Sequence, residues 1–129
     1  MDRERFEKGL AKRKQVLGAD YVERALAAAD DFSRPWQEFL TEYCWGTCWG
    51  HEVLTDRERS ILNLGMLAAQ GRMHEFGLHF RGAVRNGLSR EELRAILIQI
   101  AVYCGVPTGV ECFRIAREIF SDMDGDREA

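Results

Sequence analysis

The sequence predicts an all-α protein, a compact helical bundle of about six to seven helices. Three observations lead there. Apolar residues recur three and four positions apart in nearly every segment, the spacing that lines up one face of a helix. Only two prolines, Pro35 and Pro107, interrupt the 129 residues, and proline is the residue that breaks helices. Strand signals are weak, because the β-branched residues also fall at helical spacing.

Each element has its own warrant. From Asp2 to Leu17, Phe6, Leu10 and Leu17 share a face and Gly18 supplies a stop. Asp20 is placed to cap an alanine-rich helix through Ala29. Ser33 before Pro35 reads as a cap followed by a first-turn proline. The helix after it carries Trp36, Phe39, Leu40, Tyr43 and Cys44, with Gly46 and Gly50 loosening its end. Thr55 and Glu58 form a capping box at the start of an apolar run of Ile61, Leu62, Leu64, Met66, Leu67 and Ala68. That run is apolar nearly all round, so burial on most sides is expected. Gly71 breaks it, the next helix covers Met73 to Arg85, and Asn86-Gly87 forms a left-handed stop. Ser89 and Glu92 make a second capping box, opening a helix through Tyr103. Gly105-Val106-Pro107 interrupts the pattern, and a last helix carries Val110, Phe113, Ile115, Ile119 and Phe120. Residues 1–129 read as a single domain, with 122–129 a polar tail expected to fray.

Composition narrows the function. Apolar residues make up 46% and charged residues 30%, as in an ordinary globular chain that builds a core without disulfides or a metal. The net charge of -3 comes with no basic stripe, which argues against a nucleic-acid partner. No stretch reaches a membrane span, and the N-terminal Met1-Asp2-Arg3-Glu4-Arg5 lacks the apolar core of a signal peptide, so a cytoplasmic protein is expected. There the four cysteines read as thiols, and their CxxxC and Cx7C spacings match no zinc site. The apolar Leu54–Ala69 run and the closeness in sequence of Trp36, Trp45 and Trp49 fit a subunit interface or a packed monomer core equally well.

Chemistry points first to one helix. His79 follows Glu75 by four residues, so the two share a face, and a carboxylate there orients an imidazole and raises its basicity. The same spacing also describes a solvated surface pair, the commoner case. Arg81 and Arg85 share another face suited to a carboxylate. His51 and His74 read as surface residues. Cys44 and Cys48 are one residue too widely spaced for a CxxC redox pair and lie at a helix end rather than a start. The Tyr103–Pro107 break either lines a pocket or is a plain turn. No P-loop, GxGxxG, GxSxG or HExxH occurs.

Several segments together carry a resemblance: Arg59-Ser60-Ile61-Leu62-Asn63-Leu64-Gly65-Met66, Leu78-His79-Phe80-Arg81-Gly82-Ala83, Asn86-Gly87, and Ala101-Val102-Tyr103-Cys104-Gly105-Val106-Pro107, with Trp45-Gly46-x-x-Trp49 upstream. Over roughly residues 3–121 the chain resembles the carboxymuconolactone decarboxylase family, to which the alkylhydroperoxidase D-like proteins are related. The resemblance implies an all-α fold, a homo-oligomer (trimer or hexamer), no cofactor, and a small carboxylated lactone or similar organic acid as partner. The implied reaction is decarboxylation of 4-carboxymuconolactone in aromatic catabolism, the β-ketoadipate pathway. Electrons left by carbon dioxide flow into the lactone carbonyl as a dienolate, which is then protonated on carbon. Under it His79 is the acid, Glu75 orients it, Tyr103 or amides near Gly105 stabilise the dienolate, and Arg59 and Arg81 hold carboxylates. Trp45, Thr47, Gln99 and Cys104 complete the expected substrate-binding set. The sequence departs from the family at two places. Thr47 stands where the decarboxylases usually have glutamate, and Gln99 where many have histidine. Two alternatives therefore stand beside the decarboxylase: a thiol-dependent peroxidase using Cys44 and Cys48 or Cys104, and a family member repurposed for another substrate or for binding.

Overall fold

The computed structural model describes residues 1–128, with side chains through residue 125. Among them there are seven α-helices: α1 (Arg3–Leu17), α2 (Ala19–Ala27), α3 (Arg34–Phe39), α4 (Asp56–Ala69), α5 (Met73–Arg85), α6 (Arg90–Cys104) and α7 (Val106–Glu128). Between α3 and α4 the chain continues as a π-helical segment, Leu40–Cys48. The all-α expectation holds. No described helix is long and apolar enough to cross a membrane. The chain divides into two compact units, Met1–Arg59 and Ser60–Ala129.

The first unit is built on the crossing of α1 with the π segment. Asp2 caps α1 by accepting from the Arg5 amide at 3.1 Å. Gly18, at φ 97°, ends α1 and also opens α2, so the cap expected at Asp20 is not used. Ser33 does not cap α3 either, because its hydroxyl is engaged with Asp30, on whose Oδ1 it donates at 3.0 Å. At the crossing, Gly9 and Gly46 lie backbone to backbone. A Cβ on Gly9 would stand 2.0 Å from the Thr41 carbonyl oxygen, and one on Gly46 would stand 2.5 Å from that of Arg5. Gly46 thus permits close approach rather than loosening a helix end. The buried Arg13 spans the same contact, donating to Gln37 Oε1 at 3.0 Å and Thr41 Oγ1 at 3.2 Å. Trp45 and Trp49 are buried and stacked at 5.0 Å, whereas Trp36 stacks on Phe39 at the surface.

The second unit has the larger apolar core. Leu64, Phe76, Phe80, Leu93, Leu97 and Cys112 are fully or almost fully buried in it. Phe80 meets Phe120 edge-on at 5.4 Å, and the Arg90 guanidinium lies 4.2 Å over the Phe120 ring. The Ser89–Glu92 capping box forms as expected, and Gly87 and Gly105 take positive φ at the two helix stops. Only Gly105 separates α6 from α7. Pro107 is tolerated in the first turn of α7, where its missing N–H has no intrahelical partner to lose. The polar segment from Asp122, expected to fray, is helical through Glu128. Asp122 and Asp124 there pair with Arg81 at 2.9 Å and Arg90 at 2.6 Å.

The apolar run of α4 departs from expectation. Leu64 and Ala68 are buried, but Ile61, Leu62 and Met66 remain 40–51% exposed. One face of this helix serves the core of the single chain, and the rest of its apolar surface is left to water. Ile98, Val102, Tyr103, Val106 and Val110 on α6 and α7 are likewise exposed. Gly65, in mid-α4, has a helical backbone and open space where a side chain would go. Glycine in such a position costs a helix about 0.5–1 kcal/mol relative to alanine.

Candidate active site

His79 lies on α5, beside the buried Phe80 in sequence, and is half-buried. Burial holds its imidazole below the ordinary value, against a smaller opposing effect of the Glu75 charge. The ring is therefore neutral near pH 7. The Asn63 amide nitrogen faces Nδ1 at 3.4 Å. With that nitrogen as donor, Nδ1 accepts and the ring proton sits on Nε2. Glu75 is exposed and acts on His79 through charge, as the four-residue spacing predicted.

The lowered pKa sets a sign for stability. Below about pH 6.5 the unfolded chain protonates this histidine before the folded chain does, so stability falls as pH drops towards the folded value. Thermal unfolding between pH 7.5 and 5 is expected to show a larger loss for the wild type than for His79→Gln. Parallel curves would refute the burial argument.

Arg81 is occupied. Its guanidinium donates to Asp122 Oδ2 at 2.9 Å, and its charge helps burial to lower the pKa of Arg85. Arg59, in the first unit, is placed differently. It donates to the His51 carbonyl at 2.8 Å and to Cys48 Sγ at 3.7 Å, while its Nε is buried without a partner. Among the described residues no carboxylate neutralises it. A half-buried guanidinium held by uncharged acceptors suits an arriving anion. Thr47 is exposed on the π segment, and Trp45 is buried against Trp49.

Gln99, Tyr103 and Cys104 come together. With Ile61, Gly65, Ile96 and Ile100 they line a pocket of about 280 Å³ between α4 and α6. Tyr103, 82% exposed, stands at its rim. A larger, more open groove of about 880 Å³ runs along α6 and α7 past Ala101, Val110 and Phe113, and contains none of the expected site residues.

All four cysteines are free thiols. Desolvation and then the neighbouring Cys48 push the Cys44 thiol up, and burial beside Cys104 carries Cys112 to about 11. Both shifts run against a thiolate nucleophile. Among the described residues no group of three or more His, Cys, Asp or Glu side chains is placed to hold a metal ion.

Sequence reasoning missed three partners: Asn63 for His79, Cys48 for Arg59 and Asp122 for Arg81. The first and last bridge 16 and 41 residues, and no local pattern signals them.

Comparison with known proteins adds to this geometry. The profile of the carboxymuconolactone decarboxylase family matches residues 34–118. The nitrosuccinic acid decarboxylase of Metarhizium robertsii is 42% identical over 123 residues, which is 95% of this chain and 86% of the relative. The 4-carboxymuconolactone decarboxylase of Acinetobacter baylyi is 32% identical over 122 residues, covering 95% and 91%.

Proposed function

Because the chain belongs to the carboxymuconolactone decarboxylase family, we propose that it is a cofactor-independent carboxy-lyase for a small organic acid that carries its own electron acceptor and a second carboxylate. One observation carries this reading: near-full-length similarity to two decarboxylases whose named substrates share that property. In nitrosuccinic acid one carboxylate shares its carbon with the nitro group. In 4-carboxymuconolactone the carboxylate is vinylogous to the lactone carbonyl. Either acid can lose carbon dioxide into a delocalised anion, a nitronate or a dienolate. The protein's tasks are then to hold the remaining carboxylate, to favour the delocalised charge and to deliver a proton to carbon.

His79 is the proposed proton donor. Neutral at rest, it gains proton affinity as an anionic substrate approaches, in the direction Glu75 already pulls it, takes up a proton from solvent and passes that proton to carbon, returning to the neutral ring. Arg59 is the better of the two arginine candidates for a carboxylate, since Arg81 would first have to leave Asp122. Gln99 and Tyr103 are the uncharged donors for the delocalised anion. Thr47, where the decarboxylases usually have glutamate, and Gln99, where many have histidine, point away from 4-carboxymuconolactone, and the higher identity to the nitrosuccinic acid decarboxylase favours an acid of that kind. We read the two units as one functional domain, since the family match crosses their boundary. The exposed apolar side chains of α4, α6 and α7 support a homo-oligomer, a trimer or hexamer. The four free thiols suit a reducing cytoplasm.

The test is carbon dioxide release from nitrosuccinate and from 4-carboxymuconolactone by the wild type and by a Cys44→Ser/Cys48→Ser variant, beside a peroxide-consumption assay. Turnover of at least one acid, retained in the variant, is expected. Turnover of neither acid overturns the reading. Peroxide consumption that the variant loses would install the thiol mechanism instead, with Cys48, the thiol in contact with Arg59, as its first candidate.

A further inference from the structure

Three of the chain's helix-interior glycines have a clear packing reason, whereas Gly125, in the polar end of α7, has none. Gly9 and Gly46 permit the crossing of α1 with the π segment, and a Cβ on Gly109 would stand 2.5 Å from Ala101 Cβ. Gly65 has none either. Its φ is not positive, and a Cβ built on it meets nothing within 4 Å. A helix interior disfavours glycine relative to alanine, so neither conformation nor core packing accounts for this residue. The space its side chain would take is the pocket between α4 and α6.

That pocket has a definite chemistry. Ile61, Ile96 and Ile100 make its walls apolar, and the residues along it that carry polar side-chain groups are Gln99, Tyr103 and Cys104. No charged residue lines it, so a carboxylate placed there would lack a cation, at a large desolvation cost. A carbonyl or nitro oxygen meets it well, accepting from the amide or the hydroxyl while the carbon skeleton lies on isoleucine. At about 280 Å³ the space sits at the lower end of small-molecule sites and suits a metabolite rather than a larger ligand.

We propose that Gly65 is a specificity-determining residue, which keeps this pocket open for the uncharged, electron-accepting group of the substrate. The inference rests on the decarboxylase reading and goes beyond it in saying which part of the acid enters which space. Gly65 acts by absence. Any larger side chain on this face of α4 takes room from the acceptor group without disturbing the core.

A series of Gly65→Ala, Gly65→Val and Gly65→Leu tests it. With whichever acid the wild type decarboxylates, kcat/KM is expected to fall in order of side-chain size. The leucine variant should lose on the order of 30-fold or more, mainly through KM. Its melting temperature should be no lower than that of the wild type. A leucine variant within threefold of wild-type kcat/KM overturns the proposal. If the wild type turns over neither acid, the decarboxylase reading fails separately, and the pocket is judged by NMR titration with but-2-en-4-olide, an uncharged unsaturated lactone. Saturable shifts at the Gln99 and Tyr103 amides, lost in Gly65→Leu, support it. No saturable shift in the wild type overturns it. A change of oligomeric state in Gly65→Leu, read by light scattering, also overturns it, because the space would then belong to a second copy of the chain.

Discussion

Replacing His79 by alanine is expected to lower kcat for carbon dioxide release by about 10²–10⁴-fold, with a much smaller change in KM. The size follows from what is left. With the electron acceptor built into the substrate, carbon–carbon cleavage needs no further catalyst group, but the delocalised anion must still be protonated on carbon. Without the imidazole, water has to supply that proton in a half-buried site. His79→Gln keeps a polar side chain of similar length yet removes the proton donor, so it should be nearly as slow as the alanine variant. Steady-state assays across pH separate chemistry from folding, since both variants should lose the wild type's pH dependence in the range where His79 titrates. A His79→Ala enzyme within threefold of the wild type would remove the histidine from the mechanism.

The second large effect is on folding. Gly9→Ala adds one methyl group, but at a point 2.0 Å from the Thr41 carbonyl oxygen and 2.7 Å from the Gly46 amide nitrogen. Both neighbours are backbone, so no rotamer change makes room. The two helices must separate, loosening the hydrogen bonds of the buried Arg13. A loss of about 3 kcal/mol, at the upper end for overpacking, is expected in urea denaturation. Gly65→Ala is the matched control, because its added carbon enters open space and should cost no stability. Equal midpoints for the two variants would mean that the crossing is not close-packed.

The contrast between these two glycines shows what could be read from the sequence. Capping is local chemistry. Thr55 with Glu58 and Ser89 with Glu92 announced two helix starts four residues at a time, and both form with hydrogen bonds of 2.8–3.1 Å. Gly18, Gly87 and Gly105 announced helix ends in the same way. A glycine that serves helix contact carries no such local mark, so Gly46 read as a loose end. The π segment was hidden because its hydrogen bonds reach five residues back, as from the Trp49 amide to the Cys44 carbonyl, while its composition is that of any helix. The site divides along the same line. The pairing of Glu75 with His79 was legible because four residues make one helical turn. The contact with Asn63 was not, because it depends on how α4 and α5 pack. Burial of α4 was overestimated for a related reason, since an apolar residue reports a preference for leaving water but not which surface will cover it.

The apolar side chains that Ile98, Val102, Tyr103, Val106 and Val110 hold out to water have a consequence for abundance. In the homo-oligomer proposed above, covering them with further copies of the chain would be an association step, so the stability gained would grow with the logarithm of protein concentration. Such an assembly would be most durable where the protein is plentiful. On dilution each chain would return to its own stability, and the same side chains would become its most adhesive surface.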